Sequence, residues 1–369
     1  MRSVRSSGPR FAGRRFTVPG EVSAAHRGPH APGSEVSSNA FAVVETIEPR
    51  RLLSASVVNG VLTVVGTPNN DNYQIYYNTA TVKFVVINNG VSEGSFALTA
   101  FTSASIMTSD GNDVVYTSSL PATTIDSGDG DDTITGSDKN VTVSAGNGDD
   151  RITTGKGTDL IDCGAGNDTV VDAGNGNDTV YGGAGADEIH AGGNNDVVNG
   201  NEDNDALYGD AGNDTVNGDD GDDFLAWSLG SDQMFGNAGL DTYDCGNTAN
   251  GYNVRVSLDD LANDTYSLNA DSDNVHSDFE VLNGGAGNDT LIGSSHDDVI
   301  NGAGGNDSIR GGAGDDDLTG GAGNDSLFGE DGNDTVHTFD LLGFDYADGG
   351  SGTNTAADFD LLFDTLVNF

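Results

Sequence analysis

Beyond its first fifty positions this chain has almost no basic residues. Across 369 residues, 14 Lys and Arg face 59 Asp and Glu, a formal charge of −45. Eight arginines and only four glutamates fall within residues 1–51, so position 52 onward carries 6 basic against 55 acidic residues. Such a surface repels nucleic-acid phosphates and anionic membranes; the partner it calls for is a cation. Long apolar runs are missing as well. The run at Phe41 to Val44 is too short for a signal-peptide core or a membrane span. No apolar or amphipathic helical segment is present, which disfavours a pore-forming toxin. The six histidines (His26, His30, His190, His276, His296 and His337) form no H-E-x-x-H pair, so a zinc protease is unsupported. Charge and low hydrophobicity alone would predict disorder.

What is abundant argues otherwise. Glycine supplies 55 residues, and stretches such as GGAGNDTLIG (Gly284 to Gly293) return at nine-residue intervals with an aspartate at a constant place. That place is held by Asp113, Asp132, Asp150, Asp159, Asp168, Asp178, Asp187, Asp196, Asp205, Asp214, Asp223, Asp232 and Asp241, and in a second block by Asp289, Asp298, Asp307, Asp316, Asp325 and Asp334. Two residues after each aspartate comes an apolar one, for example Ile134, Ile152, Val170, Ile189, Leu207, Val216, Leu291, Ile300, Ile309 and Leu327.

Each part of the unit has a physical role. The glycines make the turn. The apolar residue lies between neighbours that face the other way, so a short strand points one side chain inward. One such strand buries little, and stacking many builds a thin continuous core. If two units form one coil, every second aspartate stacks on the same edge, about 4.8 Å from the next. Two bare carboxylates at that distance repel by roughly 1 kcal/mol in water and by about 3.5 kcal/mol at an effective dielectric of 20. Over a dozen pairs this exceeds the roughly 5 to 15 kcal/mol that holds a typical domain together. Calcium, which takes six to eight oxygens in flexible geometry, answers the deficit better than magnesium, which demands near-ideal octahedra. All nineteen aspartates are therefore candidate ligands for multiple calcium ions.

On repeats such as GGAGNDTLI (Gly284 to Ile292) and GGAGNDSLF (Gly320 to Phe328), the sequence resembles the RTX, or hemolysin-type calcium-binding, family. The resemblance covers about 108–244 and 284–337. It implies an all-β parallel β-roll (a β-solenoid), calcium between successive turns on each edge, and folding driven by calcium, commonly after secretion. It does not imply an activity, because such repeats are attached to lipases, proteases, toxins and adhesins alike.

Outside the repeats, residues 1–53 are Arg, Ser, Gly and Pro rich, and read as a disordered or processed basic leader. Arg14 and Arg15 before Phe16 match a twin-arginine signal only weakly, since no hydrophobic segment comes after them. IEPRRLL (Ile47 to Leu53) resembles the LEPR-x-LL motif of planctomycete surface proteins, with Ile47 in place of the first leucine. Residues 54–107 alternate apolar and polar, with Asn89-Gly90 marking a hairpin; they read as a β lead-in that caps the roll. Residues 245–283 interrupt the array. Residues 338–369 keep a degenerate unit, DGGSGTNTA, and end in FDTLVNF, a C-terminal cap.

Catalytic motifs are thin. Gly90-Val91-Ser92-Glu93-Gly94 fits G-x-S-x-G, but that motif needs a strand before and a helix after, and the residues from Ser95 onward are strand-like. His190 and His337 fall on outward strand positions. Three readings remain: a non-enzymatic calcium-binding extracellular or surface protein, structural or adhesive; an RTX-linked secreted hydrolase; and a calcium-dependent module for glycans or cell-surface and matrix partners. The first is favoured, without nucleic-acid binding or membrane insertion.

Two finer expectations come from the register. Cys163 and Cys245, the only cysteines, are an odd number of units apart, so they lie on opposite edges with about 20 Å between them along the axis. That excludes an intramolecular disulfide, which needs Cα atoms within about 7 Å. One edge begins with Asp113, Asp132, Asp150 and Asp168; the other begins with Thr123 and Val141 before reaching Asp159 and Asp178. Calcium is expected on the second edge only from about Asp159 onward.

Overall fold

The computed structural model describes residues 55–246, 252–266, 273–338, 343–357 and 364–369. The leader readings, including Arg14, Arg15 and the Ile47 to Leu53 motif, lie outside the described residues.

Every regular element among the described residues is a strand. Strands pair in parallel with partners two repeat units away: Val141–Asn147 lies against Thr123–Asp129 with Val143 opposite Ile125, and Leu160–Ala165 comes next with Ile161 opposite Val143. The intervening units form a second sheet, in which Arg151–Thr153 pairs Thr133–Thr135 with Ile152 opposite Ile134. Two nine-residue units thus make one coil with one strand in each sheet. Between the sheets runs a single file of apolar side chains from each: Ile125, Val143, Ile161, Val180, Val198, Val216 and Met234 from the first, Ile134, Ile152, Val170, Ile189, Leu207, Leu225 and Tyr243 from the second, all buried. Their neighbours alternate outward, as a period of two requires.

The amino end is built from hairpins. Asn59-Gly60 and Asn89-Gly90 each take positive φ at both residues (52° and 80°; 48° and 77°). They close the antiparallel pairs Ala55–Val58 with Val61–Val65 and Lys83–Asn88 with Val91–Ala97, the two-residue turn that Asn-Gly favours. Val61–Val65 pairs in parallel with Ser103–Met107, which pairs with Thr123–Asp129, so this lead-in is continuous with the coils. Ser92 sits inside Val91–Ala97, opposite Ile87; no strand-to-helix turn surrounds it.

The interruption acts on one side only. The first sheet ends at Asn274–Val275, a third begins at Thr265–Tyr266, antiparallel to Val254–Ser257, and the second runs past the break, Thr242–Asp244 pairing Val281–Gly285. Buried Asp264 ties the seam, accepting the backbone N–H of Ser257 (2.7 Å) and of Val275 (3.1 Å), one from each sheet that it joins.

Candidate metal centre

All nineteen predicted aspartates are buried, at 3% relative exposure or less. Each stands where a turn passes into a strand, and in all but Asp298, whose Oδ1 takes the Ser294 hydroxyl of its own turn, Oδ1 reaches back to the coil before it. Asp168 Oδ1 accepts the N–H of Asp150 at 2.7 Å, Asp187 that of Asp168 at 2.7 Å, Asp205 that of Asp187 at 2.8 Å, and Asp223 that of Asp205 at 2.9 Å. The other edge repeats the pattern through Asp159, Asp178, Asp196 and Asp214, and the second block through Asp289, Asp307 and Asp325. Each bond satisfies a turn amide that neither sheet pairs.

The second oxygen is in a different state. In Asp150, Asp168, Asp178, Asp187, Asp196, Asp205, Asp214, Asp223, Asp289, Asp307 and Asp316, Oδ2 is buried and accepts no hydrogen bond. A buried unpaired carboxylate oxygen is costly. The turn leaves space beside it. A Cβ on Gly200 would collide with Asp205 Oδ2 and lie 2.6 Å from the Gly218 carbonyl oxygen; one on Gly182 would meet Asp187 Oδ2 and the Gly200 carbonyl in the same way. Glycine keeps this carboxylate and carbonyl cradle clear.

Burial, with neighbouring carboxylates adding to it, pushes Asp196 and Asp205 up to about 8 and Asp150, Asp187 and Asp214 up to about 7. Among the described residues no three His, Cys, Asp or Glu side chains converge on one point. An ion held here would draw one carboxylate from a turn and its other oxygens from backbone carbonyls. That all-oxygen, flexible set suits a hard cation of the calcium type.

Not every turn is alike. Asp232 Oδ2 takes the Ser228 hydroxyl at 2.8 Å, and Asp298 Oδ2 takes the Ser294 N–H at 2.7 Å. Protein donors there occupy the oxygen that is bare elsewhere. Asp71, which begins one line by giving its N–H to Asp113 Oδ1, is served by the Thr67 amide (2.8 Å) and Asn88 Nδ2 (3.0 Å). At the start of the other edge, Val141 gives its N–H to Asp159 Oδ1 and lies opposite Thr123, as the register requires.

Several members of these lines are not visible in the nine-residue period. Asp273, Glu280, Asp345 and Asn354 accept the N–H of Asp232, Asp241, Asp325 and Asp334. Gly343-Phe344-Asp345-Tyr346-Ala347 carries the glycine, aspartate and apolar residue of the unit, but two extra residues separate Asp345 from its neighbour's register. A second ladder is equally hidden. The residue before each aspartate is often Asn or Asp, and its Oδ1 accepts the N–H of the corresponding residue one coil later: Asp149 from Asn167, Asp297 from Asp315, Asn306 from Asn324. The two ladders run in opposite directions along the axis and clamp each coil to both neighbours.

A parallel β-roll that buries a line of carboxylates in its turns, several beside a glycine cradle, is a cation-binding repeat scaffold. The family model described as RTX calcium-binding nonapeptide repeat (4 copies) matches residues 126–161, 142–170, 164–198, 172–207, 190–225, 277–309 and 310–338. Over these segments the chain is built of RTX calcium-binding nonapeptide repeats. No curated protein matches the chain.

Proposed function

We propose that this protein works outside the cell as a non-enzymatic structural or adhesive element, folded by several calcium ions. The row of buried Oδ2 atoms without donors carries this reading, since no protein group serves them and a cation from solution is the partner they lack. The ligand carboxylates in it are the predicted aspartates, with Asp232 and Asp298 set apart because serine donors already serve them. Extracellular modules bind calcium with Kd near 0.1 to 1 mM, so such a roll would stay empty at cytosolic calcium and fill outside. The resemblance of Ile47 to Leu53 to a surface-protein motif agrees with that location. The hydrolase reading has less support, because its one candidate nucleophile, Ser92, lies within a paired strand. Calorimetric calcium titration of the full chain, run beside circular dichroism, tests the proposal: several ions should bind as β structure appears, and binding of none would overturn it.

A further inference from the structure

One coil breaks the outer contour of the roll. The fourth residue after the aspartate is glycine in several coils, as at Gly200, Gly209 and Gly218; after Asp223 it is Trp227. An indole cannot enter the space of a glycine, so Trp227 is only half-buried and Ser228 takes the inward place. A groove of about 320 Å³ results, with Tyr208, Asp210 and Ala211 of one coil on one side and Trp227, Ser228 and Leu229 of the next on the other. Ala211 and Leu229 are bridged in parallel, which sets the two walls one strand spacing apart.

The lining has a definite chemistry. Tyr208 is backed by the His190 ring, stacked at 4.2 Å with planes 9° apart. Leu229 is 52% exposed. Asp210 is held in place by the Gly192 N–H at 3.2 Å and by His190 Nδ1 at 3.3 Å. Two rings and an aliphatic surface thus stand beside a fixed carboxylate acceptor, in a volume at the lower end of small-molecule sites. Anionic ligands are repelled by the carboxylate and by the acidic surface around it. A cation gains little, because His190 is already paired with Asp210 and that hydrogen bond favours the imidazolium. What fits is an uncharged molecule with an apolar face and hydroxyl donors.

We propose that this groove binds a neutral hexopyranose unit of a glycan, its C–H face against Tyr208 and Trp227 and its hydroxyls donating to Asp210. The site rests on the calcium reading, since its walls belong to consecutive coils that exist only in the folded roll. Trp227 is the only tryptophan, so its fluorescence reports the groove directly. The experiment is a titration of the calcium-loaded full chain with methyl glucopyranoside, methyl galactopyranoside and neutral hexaoses, with glucuronate and tetramethylammonium as contrasts. Circular dichroism is recorded on the same samples. Expected is a saturable change with a neutral sugar, weakened about tenfold by Tyr208→Ala or Asp210→Ala. The distant outward Tyr181→Ala should leave it unchanged. A folded roll that gives no saturable response to any neutral sugar, responds only to tetramethylammonium, or responds equally in both groove variants would overturn the site. A chain that shows no β structure in calcium would instead overturn the calcium reading and the groove with it.

Discussion

Asp205 accepts the backbone N–H of Asp187, one coil earlier, on Oδ1 at 2.8 Å, while its buried Oδ2 accepts nothing. One carboxyl group therefore fixes the register between coils and also carries into the turn an oxygen that no protein donor serves. The register bond forms only when the coils stack, and stacking brings the next carboxylate close. Folding and charge neutralisation are coupled through the same side chain.

Removal of calcium should unfold the repeats. The full chain in EGTA is expected to show little β signal by circular dichroism and to gain it cooperatively on calcium addition, with half-saturation near 0.1 to 1 mM. Thermal stability should then climb with calcium concentration, because the ion binds only the folded form. A spectrum already β-rich in EGTA and unmoved by calcium would contradict the coupling.

Acid should partly replace the ion. Burial raises the folded-state pKa of Asp196 and Asp205 to about 8, and of Asp150, Asp187 and Asp214 to about 7, from an ordinary 3.8. A raised carboxyl holds its proton more tightly folded than unfolded. Its support for the fold is complete below the unfolded value and is lost as pH rises through 7 to 8. In EGTA, β structure should therefore increase as pH falls from about 8 to about 5, still above the sequence pI of about 4.1. Calcium binding at neutral pH should release protons, measurable by calorimetry in buffers of different ionisation enthalpy. A β signal in EGTA that grows with rising pH would count against this.

Substitutions should sort the turns. Asp205→Ala removes a carboxylate whose Oδ2 is bare, and calcium stoichiometry should fall. Asp132→Ala should likewise remove a site near the amino end. Asp232→Ala acts where Ser228 already donates, and Val141→Ala acts where no carboxylate stands, so both should leave the count unchanged and alter only stability. Filling the buried Val141 position less completely costs about 1 to 2 kcal/mol by loss of apolar burial. Equal loss of ions in all four variants, read by atomic absorption after dialysis, would defeat the assignment.

The two cysteines should stay reduced within one molecule. Cys163 lies in Leu160–Ala165 of the first sheet, and Cys245 comes directly after Thr242–Asp244 of the second; both are buried, and no disulfide joins them. Burial raises the Cys163 thiol well above its usual range, which slows reaction further. A thiol reagent should label neither in the calcium-loaded form and both after denaturation. A monomer mass lower by two hydrogens would refute it.

The repeat alone was enough to read the roll. An aspartate and an apolar residue in constant phase with a glycine turn determine the strand and its inward side chain, because those relations are local and recur every nine residues; that two units close one coil is a supposition that the parallel pairing bears out. The same phase placed Thr123 and Val141 on the line of Asp159. Only the tertiary structure decided which carboxylates keep a bare oxygen. That depends on whether a serine such as Ser228 or Ser294 turns inward, and on which donors a non-repeating segment brings to Asp71. It also decided that Asp264 joins two sheets across the interruption, and that Trp227 opens a groove against Tyr208 one coil away. Those contacts lie between coils or outside the period, where neighbours in space are far apart in sequence and no repeat announces them.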